Sequence, residues 1–372
     1  MAVIIMKATE QCNGSCAYCD VVRKKHEVEV MALETLELVF RRINEYLLES
    51  YDEKLQLVWH GGEPLLLGAD YFRSALEYQR RHCSRTFSRI EHALQSNLTA
   101  LTPEFIPVLK ELGISYVGTS FDPEPGMRGL GADTDTMKYN SLFMNALALL
   151  EEHDMGYGFI YVVTKKSLDR PRDIFHLLTN LSLTGGLNIN PVLIYGLTRR
   201  HLAITPAEYA DFLGAIFPLW WENQERYPDV EPFRSLLNNI RNGGQSLSCG
   251  DSGDCVHNHL NIDPSGNASQ CGRSSDWDIL PYGSIKDRTL SEILRDEQRS
   301  ALEKRNEILL QQECRDCRLW FLCHGGCPLD SYSAHGDFIH KTEWCISKKL
   351  FITKYFEPVT GLVAGAHRHG QQ

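Results

Sequence analysis

Long apolar runs are missing from this chain. None approaches the roughly 20 apolar residues that cross a bilayer, and residues 1–6 are too short for the apolar core of a secretory signal. No membrane partner is expected. A basic excess is missing as well. Lys and Arg number 38 against 48 Asp and Glu, for a net charge of −10 and a pI near 5.8. That excludes a broad nucleic-acid surface, which needs a basic face, and the acidity serves solubility. There is no internal repeat, no low-complexity tract, and no G-x-G-x-x-G after the first candidate strand, which argues against a doubly wound dinucleotide fold. Cysteine, by contrast, is abundant, with 12 in 372 residues. Without a secretory signal, that count points to metal ligation instead of disulfides, in a reducing and oxygen-poor cytoplasm.

Three of these cysteines open the chain. Cys12, Cys16 and Cys19 stand in the order C-x3-C-x2-C, and the loop ends in Tyr18-Cys19-Asp20. A cubane iron–sulfur cluster normally takes four thiolates. Three on one loop leave an iron without a protein ligand, and an open coordination position is a place for chemistry. A zinc ribbon would open with C-x2-C and a second knuckle close by; here the next cysteine is Cys83. The spacing resembles the radical S-adenosylmethionine (SAM) superfamily. That resemblance implies an open iron that binds the amino and carboxylate groups of SAM. It also implies that an electron from the cluster cleaves SAM, giving a 5′-deoxyadenosyl radical that abstracts a substrate hydrogen atom.

The first 220 or so residues alternate β-like runs with amphipathic helical stretches. Strands are predicted at 3–7, 55–59, 90–95, 116–120, 156–163 and 187–194. Helical spacing links Leu33, Leu36, Val39, Phe40, Ile43 and Leu47, then Phe105, Val108, Leu109 and Leu112, and more loosely Met144 to Leu150. Ser167-Leu168-Asp169 and Thr205-Pro206 read as helix starts. Six β–α units in series imply a parallel sheet with helices outside, and such sheets carry their sites at the C-terminal strand ends. The fold expected is α/β: an open partial TIM barrel, (β/α)6, as in radical SAM enzymes. The domains expected are a barrel at 1–235, a linker and cysteine-rich domain at 236–350, and a tail at 351–372, with 365–372 disordered.

Several strand ends carry motifs. Gly61-Gly62-Glu63-Pro64 follows the second strand and resembles the GGEP element that holds the SAM amino group. Gln95-Ser96-Asn97 closes the third and resembles a Q-T-N element. Ser120-Phe121-Asp122 closes the fourth and resembles an S-x-D element that contacts SAM polar groups. Arg128 follows on the next loop and suits a bidentate carboxylate contact; a solvated loop charge is the alternative. Tyr18 is expected near the adenine, or in simple loop packing. Trp59 and His60 read as strand-end packing, and Cys83 as a structural thiol.

The C-terminal part holds Cys249, then Cys255-x10-Gly266-x4-Cys271, then Cys314-x2-Cys317-x5-Cys323-x3-Cys327-x17-Cys345. Eight thiolates fully ligate two cubanes. The pattern resembles the SPASM domain of radical SAM peptide maturases. The resemblance implies three [4Fe-4S] clusters, one binding SAM and two auxiliary. It assigns Cys249, Cys255, Cys271 and Cys327 to one auxiliary cluster and Cys314, Cys317, Cys323 and Cys345 to the other. Two zinc ions are the alternative for this part of the chain.

The activity implied is SAM-dependent hydrogen abstraction from a peptide. The first reading is a maturase that installs a carbon–carbon or carbon–heteroatom cross-link in a ribosomally made precursor. The second is formylglycine formation, as in anaerobic sulfatase maturases. Those carry a catalytic Asp just after the equivalent of Cys271, where this chain has Gly272; Asp276 and Asp278 lie a few residues on and are candidate bases. A non-catalytic electron carrier is the third. Partners expected are the peptide and a ferredoxin- or flavodoxin-type reductant. No leader-binding domain is expected ahead of the cluster strand, and the barrel and SPASM surfaces, or another protein, are expected to recognise a leader.

Overall fold

The computed structural model describes residues 1–19, 29–181, 185–193, 199–227, 229–244 and 247–365. Among them ten strands run in chain order: β1 (Ala2–Thr9), β2 (Leu55–Gly61), β3 (Ile90–Gln95), β4 (Tyr116–Ser120), β5 (Gly156–Val163), β6 (Leu187–Pro191), β7 (Val230–Glu231), β8 (His259–Ile262), β9 (Asn267–Ser269) and β10 (Pro281–Ser284). The main helices are α1 (Leu33–Glu49), α2 (Ala69–His82), α3 (Phe105–Glu111), α4 (Thr136–Glu152), α5 (Pro171–Asn180), α6 (Pro206–Trp221) and α7 (Phe233–Asn242). The chain divides into two compact units, Met1–Gly158 with His257–Arg299, and Phe159–Val256 with Ser300–Gln372.

In the first unit β1 to β4 run parallel in chain order, each followed by a helix. Parallel partners project side chains to the same side, so Met6, Trp59 and Leu94 share one face. Trp59 packs there on Phe72 of α2 at 4.7 Å between ring centroids. Helix α1 turns Leu36, Val39, Phe40, Ile43 and Leu47 inward, the stripe its spacing predicts. The opposite face carries Ile5 and Lys7 of β1, Val58 and His60 of β2, and Gln95 of β3 beside Gly118 of β4. On its other edge β1 pairs in parallel with β8, which leads into antiparallel β9 and β10. This late segment therefore packs with the N-terminal strands.

In the second unit β5, β6 and β7 pair in parallel. Helix α6 begins with a capping box in which Thr205 and Glu208 satisfy each other's backbone N–H groups, as the Thr-Pro start predicts. Phe217 of α6 meets Phe233, Phe351 and Phe356 at 5.2–5.4 Å between ring centroids, so α6, α7 and the segment after Cys345 share one aromatic core. Gly214 lies under the ring of Tyr355, where an added Cβ would come within 2.5 Å.

Strands 90–95, 116–120 and 156–163 stand where the sequence predicts them; β1 and β2 run longer, and β6 ends at Pro191. Ile194 and residues 366–372 of the predicted tail lie outside the described residues. The helix expected from Ser167 starts at Pro171. Ser167 instead closes a turn, its hydroxyl accepting from the Thr164 N–H at 2.8 Å and donating to the Thr164 carbonyl at 2.8 Å. No helix among the described residues is long and apolar enough to cross a membrane.

Candidate active site

The loop after β1 carries Cys12, Cys16 and Cys19, all partly exposed. It is pinned through its backbone: the Ser15 and Ala17 N–H groups donate to the carbonyls of Gly129 and Met127 at 2.8 and 2.9 Å, and Gly131 donates back to Asn13 at 3.1 Å. An ideal Cβ on Gly14 would lie 3.4 Å from Cys12 Sγ and 3.9 Å from Cys16 Sγ. Two of the three thiols thus flank a residue without a side chain. The Gly14 N–H also donates to Cys12 Sγ at 3.3 Å.

Gly61 and Gly62 bring the end of β2 against this loop. Gly62 N–H donates to Thr9 O at 2.9 Å and Glu63 N–H to Gln11 O at 2.8 Å. A Cβ on Gly61 would meet Thr9 O at 2.1 Å and one on Gly62 would meet Gln11 O at 2.2 Å, so only glycine permits the approach. Glu63 is buried and both its oxygens are engaged: it accepts from Leu65 N–H at 3.0 Å, Ser96 Oγ at 2.7 Å and Asn97 N–H at 2.7 Å. Burial pushes its carboxyl up to about 6, and the three donors restrain the rise. Glu63 therefore braces the end of β3. Pro64 opens the short turn Pro64–Leu67.

Asn97 donates to Asn13 Oδ1 at 2.9 Å and points its amide at Cys12 Sγ, 4.0 Å away. Gln95 projects over Gly118, where a Cβ would strike Gln95 Oε1 at 2.2 Å. Ser120 ends β4, partly exposed. Asp122, Arg128 and Tyr18 close one network. Asp122 Oδ2 accepts from Tyr18 Oη and Arg128 Nε, each at 2.5 Å, and Arg128 Nη2 donates to Tyr18 Oη. Arg128 Nη1 reaches Cys16 Sγ at 3.6 Å. Burial pushes the Tyr18 phenol well above its ordinary value, with Arg128 pulling the other way. Burial opposes the Arg128 charge, but Tyr18 and Asp122 hold its value well above the ordinary one. Arg128 is buried at 7 % exposure, so it is not a solvated loop charge.

Asp276 and Asp278 part company. Asp278 is exposed, in a turn with φ 54°. Asp276 is buried at the end of the short helix Gly272–Asp276, which begins just after Cys271, and it forms a close ion pair with Lys7 of β1. Glu10 lies 4.0 Å from the same ammonium, buried, with neither oxygen hydrogen-bonded. The sequence reading did not single out Lys7 or Glu10. The available signal was a lone lysine in an otherwise apolar strand.

In the second unit Cys314, Cys317, Cys323 and Cys345 are drawn together. Burial, then the nearby Cys323, Cys345 and Cys317, push the Cys314 thiol up to about 11. Cys255 and Cys327 both act on the charge of buried Arg305, and Cys249 is exposed. Cys271 belongs to the first unit. Among the described residues no three His, Cys, Asp or Glu side chains converge tightly enough for a single metal ion. Cys83 is buried, donates to Phe40 O at 3.3 Å, and is pushed up to about 11 by burial, as a structural thiol should be.

Comparison with known proteins agrees with this arrangement. Residues 6–178 match the radical SAM superfamily, and residues 253–318 match SPASM, an iron–sulfur cluster-binding domain. A cysteine-type anaerobic sulfatase-maturating enzyme of Clostridium perfringens (strain 13 / Type A) is 25% identical over 96% of each chain. A serine-type anaerobic sulfatase-maturating enzyme of Bacteroides thetaiotaomicron is 24% identical over 90% of this chain and 84% of its own. The solved structure of native anSMEcpe with bound AdoMet and Cp18Cys peptide superimposes with a TM-score of 0.83 at 24% identity, covering 96% of this chain and 98% of that one. The cofactors are accordingly SAM, a SAM-binding cluster and auxiliary iron–sulfur clusters. The chain is an enzyme of the radical SAM family, built as a partial barrel with a C-terminal SPASM domain.

Proposed function

We propose that this enzyme oxidises a cysteine or serine side chain of a peptide to formylglycine. End-to-end similarity to both cysteine-type and serine-type sulfatase-maturating enzymes carries the reading. It moves the second activity expected from the sequence ahead of cross-linking. Making the aldehyde removes one hydrogen atom, one proton and one electron from the side chain, and the cysteine route then needs hydrolysis of the thioaldehyde. When bound, SAM and its cluster supply the radical that takes the hydrogen atom, and the auxiliary clusters supply an acceptor for the electron.

The chain's own residues do the rest. Cys12, Cys16 and Cys19 would hold the SAM cluster. Gly61 and Gly62 bring backbone close to that loop, and Glu63 fixes Ser96 and Asn97 beside it. Tyr18, Asp122 and Arg128 form a charge-balanced wall next to Cys16; with Gly61, Gly62, Glu63, Pro64, Gln95, Asn97 and Ser120 they are the residues assigned to SAM. Asp276 is assigned to the proton step, since it is buried and its ion pair with Lys7 holds it in place; the exposed Asp278 is not. Cys249, Cys255, Cys271 and Cys327 are assigned to one auxiliary cluster, and Cys314, Cys317, Cys323 and Cys345 to the other. A ferredoxin- or flavodoxin-type protein supplies the reducing electron.

The test is anaerobic turnover of the reconstituted enzyme with SAM, a strong reductant and paired synthetic peptides that carry cysteine or serine at one position. Formylglycine formation gives a product that couples to a hydrazide. A product that has lost two hydrogens but ignores the hydrazide would instead establish the cross-linking reading, which Gly272 after Cys271 favours.

A further inference from the structure

Arg305 opens the helix Arg305–Gln311 and is only 2% exposed. Its guanidinium donates four hydrogen bonds, all to backbone carbonyls: Nε to Phe338 at 2.7 Å, Nη1 to His324 at 3.0 Å, and Nη2 to Gly325 at 3.1 Å and His340 at 2.9 Å. Among the described residues no carboxylate lies within ion-pairing distance of it. Nearby Lys348 and Lys341 are matched, by Asp251 and Glu313. A buried cation without an anion is strongly unfavourable, and carbonyl dipoles compensate it only in part.

The missing anion is indicated by what surrounds it. His324 and Gly325 lie between Cys323 and Cys327, two cysteines assigned to different clusters. Burial works against the Arg305 charge, while Cys327, Cys255, Cys314 and Cys323 favour it. Gly325 has φ 78°, and a Cβ there would sit 2.4 Å from Leu309 Cδ1 and 3.3 Å from Arg305 Nη2, so the turn is shaped to admit the fork.

We infer that Arg305 is the fixed counter-charge of the auxiliary clusters, holding their reduction potential up. A cubane with four thiolates is an anion and gains a further negative charge on reduction. A cation locked beside it stabilises the reduced form more than the oxidised one. The inference concerns the clusters alone and is independent of which peptide is the substrate.

The test uses the full chain, anaerobically reconstituted, in a Cys12→Ala/Cys16→Ala/Cys19→Ala background, so that only auxiliary clusters report. Arg305→Met removes the charge and keeps bulk; Arg305→Lys keeps the charge and loses the fork. Iron content and an EPR-monitored redox titration are read for both. In Arg305→Met the reduced-to-oxidised ratio at a fixed poise should fall at least tenfold, a 59 mV negative shift for one electron, while Arg305→Lys stays within threefold of the parent. Loss of auxiliary iron in Arg305→Met with full loading in Arg305→Lys also supports the inference. Unchanged potentials in Arg305→Met overturn it. So do equal shifts, or equal losses of iron, in the two variants, because the carbonyl contacts and not the charge would then be what matters.

Discussion

Gly62→Ala tests how the site is assembled. A methyl at this position would sit 2.2 Å from Gln11 O, 2.6 Å from Gln11 C and 2.8 Å from Glu10 O, all backbone atoms that cannot rotate away. Relief requires the strand end and the cysteine loop to separate by roughly 1 Å. Gln11 immediately precedes Cys12, and the bonds Gly62 N–H to Thr9 O and Glu63 N–H to Gln11 O stretch with the movement. Overpacking of this kind costs about 1–3 kcal/mol, and two weakened hydrogen bonds add about 1 kcal/mol each. The fold should survive, but the three thiols should lose their common geometry. Wild-type protein with three cubanes binds about 12 irons per chain; the variant should bind about eight, with the SAM cluster missing. Anaerobic iron and sulfide analysis reads the loss, and release of 5′-deoxyadenosine should fall to background. Gly272→Ala is the control: its Cβ would meet nothing within 4 Å, so iron content and SAM cleavage should match wild type. Full iron and normal SAM cleavage in Gly62→Ala would refute the assembly argument.

Arg128→Met leaves the buried Asp122 carboxylate without its cation and should cost roughly 3–5 kcal/mol, read as a lowered unfolding midpoint of the reconstituted protein. The double variant Arg128→Met/Asp122→Asn should recover part of that loss; strictly additive losses would show that the two side chains are not coupled. Asp276→Asn should slow peptide product formation at least tenfold, as expected for loss of a positioned base, while uncoupled 5′-deoxyadenosine release persists; unchanged product formation removes Asp276 from the proton step. Lys7→Met leaves Asp276 and Glu10 as buried carboxylates without the ammonium, and should loosen the helix that follows Cys271. Iron loss confined to the auxiliary sites is the expected outcome, and an intact iron count would argue against that link.

The barrel strands were legible because each is a short apolar run that ends in glycine or polar residues, as in Val58-Trp59-His60-Gly61-Gly62. The cysteine spacings were legible because ligand order survives in the chain even when the fold is unknown. The uses of individual side chains were less so. Glu63 belongs to a recognisable motif, yet its oxygens serve Leu65, Ser96 and Asn97, which only the close approach of β2 and β3 reveals. Arg128 left two readings open in the sequence, since burial depends on the loop folding over Tyr18 and Asp122. Lys7 and Asp276 are 269 positions apart, and no periodicity or local propensity connects them. The helix expected at Ser167 failed for a local reason: its hydroxyl prefers the Thr164 backbone, and Pro171 provides a better first turn.

The pairing of β1 with β8 has a consequence for biogenesis. One edge of the first strand is covered by β2 early in synthesis, but the other waits until His259–Ile262 has left the ribosome. Until then a row of unpaired backbone groups stays available to other nascent chains. Ribosome-bound intermediates should therefore lean on chaperones, and fragments ending near residue 235 should clump when expressed alone.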